Sequence, residues 1–276
     1  MDFKRVEGIF LVVFLFLNMF LFYVYQEGKT EQKTVSTGTI SENIEERLRA
    51  DDIKVPHSLS EKIHQGYYLS AEEGQFFQDA KEQLKNQEWQ VNDAQLTSQL
   101  FSKTDTVIDS DNGEKEVEDF ITKKGNVLYS DEYKYSTFES QKDTKYMFHQ
   151  EWEGLPVYDE TSQLSVNLQK DNVEVATIDS YEQTYITNIE ALRDPQKLIS
   201  EREAIISLYT NNRLQSGNKI KWIELGYTRI FTVREKNVYI PAWFVAVESN
   251  KNNIQIEKVN AFSSAIISSN VSEVKN

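Results

Sequence analysis

The sequence predicts a single N-terminal transmembrane helix followed by an extracytoplasmic α+β region built on antiparallel sheets. Three observations carry this expectation: an apolar run near the start, later segments in which apolar and polar residues alternate with period two, and helix-start signals between them.

Between Val6 and Tyr25 the only strongly polar side chains are Glu7 and Asn18. About twenty helical residues cover the roughly 30 Å of a hydrocarbon core, so residues 6–25 are expected to span a membrane. The stretch is too long for a typical signal-peptide core, and YVYQEGKT offers no small-residue exit site, which predicts an anchor that stays attached. Lys4 and Arg5 precede the span, whereas no basic residue follows it until Lys29. The positive-inside bias then puts residues 1–5 in the cytoplasm and the C-terminal region outside the cell membrane.

With 276 residues in all, about 250 remain for one or two soluble domains. The 15 Phe, 14 Tyr and 4 Trp supply a core, so the region is expected to fold. The absence of cysteine excludes disulfide scaffolds, cysteine nucleophiles and thiolate zinc sites. A formal charge of −14 argues against nucleic acid or anionic lipid as a partner of the outer region. A protein partner fits better.

Residues 26–38 are polar and turn-rich and read as a tether. Residues 39–108 are expected to be a mainly helical part. Thr39 and Glu42 form a capping-box pattern ahead of Ile40, Ile44 and Leu48, predicting a short helix that ends near Asp51. Ser70 and Glu73 repeat the pattern before Phe76, Phe77, Ala80 and Leu84, with Gly74 as a weak point, and a further short helix is expected from Asp93 to Phe101. Asp109 to Gly113 reads as a turn and Glu114 to Lys124 as a helix. Strands are expected over Asn126–Tyr135, Lys145–Trp152, Pro156–Leu168 and Val173–Tyr185. Asp194-Pro195 marks the start of the next helix, with Ser200 and Glu203 as an internal or alternative capping box and an end by Asn212 to Gly217. Strands follow at Ile220–Arg234, Val238–Val247 and Ile254–Ile267.

Residues 109–190 and 191–276 share an order: helix, strands, a Pro beside aromatics, then a hairpin. Leu155-Pro156-Val157-Tyr158 parallels Ile240-Pro241-Ala242-Trp243. Two related α+β units are one reading of this, and the chance likeness of two mixed segments is the other.

Residue sets for catalysis are weak. His57, Glu61 and His64 have helical ligand spacing, but Pro56 and Gly66 bound a segment poor in helix signals, so they read as ordinary polar residues. Ser216 to Lys219 matches S-x-x-K in letters without its companion motifs. Glu151 and Glu153 would share a strand face beside Trp152, where a solvated face explains them. Phosphate-binding, dinucleotide-binding, zinc-protease and nucleophile-elbow motifs do not occur. No catalytic, cofactor or metal residue is assigned. Trp243 and Tyr227 are expected in the core, with a partner surface as the alternative, Gly226 serving a close backbone approach or a bulge and Pro241 a strand start or edge.

The segments MDFKRVEGIFLVVFLFLNMFLF, ISENIEERLRADDIKVP, EREAIISLYTNNRL, IELGYTRIF and VYIPAWFVAVE together resemble the YycI (WalI) family along essentially the whole chain. The resemblance implies a non-enzymatic, single-pass membrane protein of low-GC Gram-positive bacteria that regulates the sensor histidine kinase WalK (YycG) and through it cell-wall metabolism. It also implies contact with the kinase largely through transmembrane helices, together with a YycH-like companion.

The anchor is compatible with this. Phe10, Phe14, Asn18 and Phe22 recur at four-residue spacing, and an amide in hydrocarbon needs a hydrogen-bond partner. That partner is either another helix or Asn18's own backbone, and the Phe residues face either the partner or lipid. The alternative function is an extracytoplasmic ligand-binding module that reports a wall fragment or peptide to a membrane partner.

Overall fold

The computed structural model describes residue 8 and residues 10–22, 43–101, 107–108, 112–141, 144–170, 176–249, 253–267 and 272–273. The chain divides into two compact units, Met1–Ala50 and Asp51–Asn276. In the first, residues 10–22 form helix α1, whose large apolar side chains are all exposed. At 1.5 Å per residue α1 is about 20 Å long, and among the described residues no helix is long and apolar enough to cross a membrane. The expected cytoplasmic end, the tether, the Thr39–Glu42 capping box and parts of the 6–25 span lie outside the described residues. Helix α2 (Ile44–Ala50) carries Glu45 and Glu46 in its first turn and Arg47 and Arg49 in its last, matching the helix dipole, and Ile44 and Leu48 are buried.

The second unit opens with β1 (Gln65–Gly66) and β2 (Leu69–Glu73), and helix α3 (Phe77–Gln83) follows. A single helix from 70 to 86 is therefore not what forms. Strand β2 lies between two partners, so ladder bonds on both edges outweigh the local Ser70–Glu73 capping pattern. At Gly74 the chain is pressed against Tyr185, whose carbonyl accepts from the Gly74 N–H at 2.7 Å.

The next strands form the first sheet: β3 (Gln87–Asn92), β4 (Gln95–Leu100), β5 (Val107–Ile108), β6 (Tyr133–Tyr135), β7 (Lys145–Trp152), β8 (Leu155–Pro156), β9 (Gln163–Lys170) and β10 (Ala176–Thr184). Their order is β3-β4-β10-β9-β7-β6, with β5 added to β10 and β8 to β7. The helix expected over 93–101 is instead β4. Leu96 and Ser98 are buried while their neighbours are exposed, a period of two, and Asp93 turns the β3–β4 hairpin with φ 52°. The strand expected over 126–135 shrinks to β6, because Asn126 donates to the Phe120 carbonyl and Tyr129 turns the chain with φ 50°. The strand expected from Pro156 breaks into β8 and β9, since Asp159 accepts from the Thr161 N–H in a side-chain turn.

One face of this sheet builds a core from Leu96, Tyr146, Phe148, Leu164, Val166, Ile178 and Tyr181. Ala80 of α3 joins it, with Val117 and Ile121 of α4 (Gly113–Thr122), so both helices cover that face. The opposite face is polar at its centre, where Ser136, His149 and Ser165 are buried.

The second sheet contains β11 (Ile186–Ala191), β13 (Lys219–Val233), β14 (Lys236–Glu248), β15 (Ile254–Asn260), β16 (Ile266–Ile267) and β17 (Ser272–Glu273), while β12 (Gln196–Lys197) pairs with β1. Its order is β11-β2-β14-β13-β17, with β15 also on β14 and β16 on β15. Arg234 and Glu235, both at positive φ, make the tight turn joining β13 and β14. Helix α5 (Glu201–Thr210) starts at Ser200 and not at Asp194-Pro195. The Ser200 hydroxyl accepts from Glu203 N at 3.2 Å and the Glu203 carboxylate accepts from Ser200 N at 2.7 Å. This reciprocal box satisfies two donors that Pro195, separated from the helix by β12, could not reach.

One edge of β14 is shared, pairing with β2 from Lys236 to Tyr239 and with β15 from Ala242 to Glu248. Pro241 falls between the two. Its carbonyl accepts from Ala261 N at 3.0 Å, so the donor that proline lacks would have faced the same edge, where neither neighbour pairs with residue 241.

Candidate functional site

Phe10, Phe14 and Phe22 on α1 are 76%, 64% and 62% exposed. A four-residue step turns about 400°, so the four positions form a ridge that drifts about 40° per step around the helix. The Asn18 amide donates from Nδ2 to the Phe14 carbonyl at 2.8 Å. That is the intrahelical alternative, and it uses one of two amide donors, so the other donor and the acceptor retain bonding capacity.

The structure separates the other sequence candidates. His57 bonds the Glu201 carboxylate at 2.7 Å, Glu61 lies 3.7 Å from Arg202, and His64 stacks edge-on against Trp243. The three clasp α5 and β14 instead of converging. Ser216 to Lys219 forms a turn in which Gln215 N donates to the Asn218 side chain and Gly217 has φ 80°. Glu153 does not share a strand face with Glu151, because with Gly154 it occupies the β7–β8 turn at positive φ. Tyr227 and Trp243 are buried, and the Trp243 indole donates to the Ile199 carbonyl at 2.9 Å. Burial pushes the Tyr227 hydroxyl up to about 12.

Polar groups concentrate where the two sheets meet. Arg229 on β13, 12% exposed at its side chain, reaches Glu160 at 2.5 Å and Asp159 at 3.4 Å. Thr161 donates to Asp159 or bonds the Tyr239 hydroxyl at 2.6 Å, and Asn237 donates to Glu73 at 3.0 Å. The bonds fix the 159–161 turn to β13 and β14, and β14 to β2. Beside them a cleft of about 760 Å³ is lined by Glu72, Glu73, Asp93, Arg234, Glu235 and Lys236 among others. Glu72 in its wall is bonded by Asn188 and by Lys236, and these hydrogen bonds hold its carboxyl below the usual range.

A second cavity, of about 240 Å³, lies between β6, β7, the 136–138 loop, β8 and β13. Ser136, Phe138, His149, Glu151, Tyr158 and Glu224 stand in its wall. His149 bonds Glu139 through Nε2 and packs edge-on to Tyr158 with ring centres 4.9 Å apart. Burial, and then the charges of Glu224, Glu139 and Glu151, hold the Tyr158 hydroxyl well above its ordinary range. Glu224 is itself raised, first by burial and then by Glu201. Sequence reasoning missed this cluster, because its members come from four separate segments and only the fold brings them together. Among the described residues no group of three His, Asp or Glu side chains could hold a metal ion.

No match was found among curated proteins. Among solved structures, the chain is similar to the crystal structure of an uncharacterized protein from Eubacterium rectale, at 9% identity and a TM-score of 0.44, over 79% of this chain and 91% of that one. The profile of the YycI protein family matches residues 30–262, which takes in the first sheet, the second as far as β15, and α5 but not α1. Since that match covers well over half of the sequence, the chain belongs to the YycI family.

Proposed function

We propose that the chain is a non-enzymatic, membrane-anchored regulator of a cell-wall two-component system, acting on a WalK-like sensor histidine kinase through α1 together with a YycH-like companion. Family membership supports a regulatory role in the WalK pathway. The observation that carries the helix-mediated part is α1 itself. Every large apolar side chain from Phe10 to Phe22 is more than half exposed, and one amide sits among them. Such a surface is stable only against lipid or another apolar helix.

Regulation of this kind requires unequal affinity for two kinase states. A neighbouring helix packed along Phe10, Phe14, Asn18 and Phe22 supplies it if the ridge fits one state better than the other. The N-terminus is cytoplasmic and the two sheets are extracytoplasmic in this arrangement, with the bilayer around α1.

The test is in-membrane energy transfer between the full chain and the kinase. Asn18→Leu should weaken association while leaving insertion intact, because Leu enters a bilayer more readily than Asn. Replacing residues 1–29 by an unrelated transmembrane helix should abolish regulation. Full regulation by that chimera would sink the helix-mediated reading and move recognition to the sheets.

A further inference from the structure

We propose that the cavity walled by Ser136, His149, Glu151, Tyr158 and Glu224 is a binding site for a small organic ammonium ion, a primary amine on a slender aliphatic stem. The inference stands apart from helix-mediated regulation and would survive its failure.

The first support is unused hydrogen-bonding capacity. Among the described residues, the His149 Nδ1 is buried without a hydrogen-bond partner, and His149 is 3% exposed, while the Ser136 hydroxyl beside it bonds at most the Tyr158 hydroxyl. Buried polar atoms in native proteins are almost always paired, so an orphan acceptor in the wall of a cavity calls for a ligand. With Nε2 bonded to the Glu139 carboxylate, Nδ1 is the ring nitrogen left to face a ligand, and in the neutral Nε2–H tautomer it accepts.

The second support is the sign of the wall. Glu151 and Glu224 are acceptors, and Glu139 stands behind His149. Among the described residues Lys134 is the only cation lining the cavity, and it is exposed. The raised Glu224 carboxyl and Tyr158 hydroxyl report the same thing, a partly desolvated site short of positive charge.

The third support is an internal precedent. Lys258 sets its ammonium 5.1 Å from the centre of the Phe244 ring and donates to Thr228 at 3.2 Å. Phe244 packs edge-on against Tyr158, at 5.0 Å, so the inter-sheet seam already holds one ammonium by aromatic and hydroxyl contacts. The cavity presents the same elements on the other side of Tyr158, with Tyr135 and Phe138 as further rings. A volume of about 240 Å³ admits a short amine chain and excludes a bulky cation.

The experiment is calorimetric titration of the detergent-solubilised full chain with cadaverine, with pentanediol and glutarate as neutral and anionic comparators of similar length. Cadaverine is expected to bind saturably at one site, and the diol and diacid are not. Glu224→Gln should weaken binding about tenfold, the loss of one charge-assisted contact. Glu151→Gln, at an exposed residue that the fold tolerates, should weaken it in the same direction. Glu118→Gln on the exposed face of α4 should change nothing, which separates a built site from diffuse attraction to an acidic protein. Absence of saturable heat, equal binding of pentanediol, or equal loss in Glu118→Gln would each overturn the proposal.

Discussion

Gly226 lies so close to Tyr158 that a methyl group at 226 would come within 2.6 Å of the Tyr158 ring and 2.7 Å of the Pro156 carbonyl. The contact seats β13 against the chain between β8 and β9, where Tyr158 N also donates to the Tyr227 carbonyl at 2.9 Å. Gly226→Ala should therefore force the two sheets apart locally, at a cost of roughly 1 to 3 kcal/mol. Urea unfolding followed by tryptophan fluorescence would measure it, and an unchanged midpoint would show that the seam yields without loss.

The Trp243 indole is buried and hydrogen-bonded to the residue just before the α5 cap. Trp243→Ala should destabilise by about 3 to 5 kcal/mol. Trp243→Phe keeps most of the packing but strands the Ile199 carbonyl, at a cost of about 1 to 3 kcal/mol. Thermal melts of both variants should rank in that order. A loss below about 1 kcal/mol in the Ala variant would place this indole on a partner-facing surface instead.

Removing the N-cap hydroxyl with Ser200→Ala breaks one arm of the capping box and should cost about 1 kcal/mol. Hydrogen exchange at the first turn of α5 should quicken in that variant, whereas exchange in β4 should not.

The pH dependence of stability should carry a signature of Glu224, whose folded pKa lies above its ordinary value through burial and Glu201. A raised carboxyl binds its proton more tightly folded than unfolded. Its contribution is therefore fully present below the ordinary carboxylate range and is lost as pH rises through the folded pKa. Glu224→Gln, a mimic of the protonated side chain, should gain stability relative to the parent at neutral pH, with the difference closing in acid. A parallel pair of stability curves would contradict this.

The sequence reveals most where a local rule and the fold agree. Ser200 and Glu203 spell out the cap of α5 because both partners lie within four residues, and Lys145–Trp152 forms β7 over the range its composition marks as a strand. It misleads where partners are remote. Ser70 and Glu73 carry a helix-start pattern, yet β11 and β14 claim that segment from both sides. Likewise Asp93 reads as a helix start because one residue cannot announce that it will turn left-handed between β3 and β4. The His149 cavity was barely legible: Glu151 stood out only as half of a strand-face carboxylate pair, and the other wall residues come from β13, the 136–138 loop and the chain after β8.

The split edge of β14 also dictates an order of events. The β13–β14 hairpin closes through an adjacent turn, but β2 must wait for a strand more than 160 residues downstream. Such distant pairings are slow, and synthesis delivers β2 long before its partner. Until Lys236–Tyr239 arrives, Leu69 and Ala71 have nowhere to be buried on that edge. Truncations that remove β14 should therefore expose the early half of the chain to proteases as well as the late half.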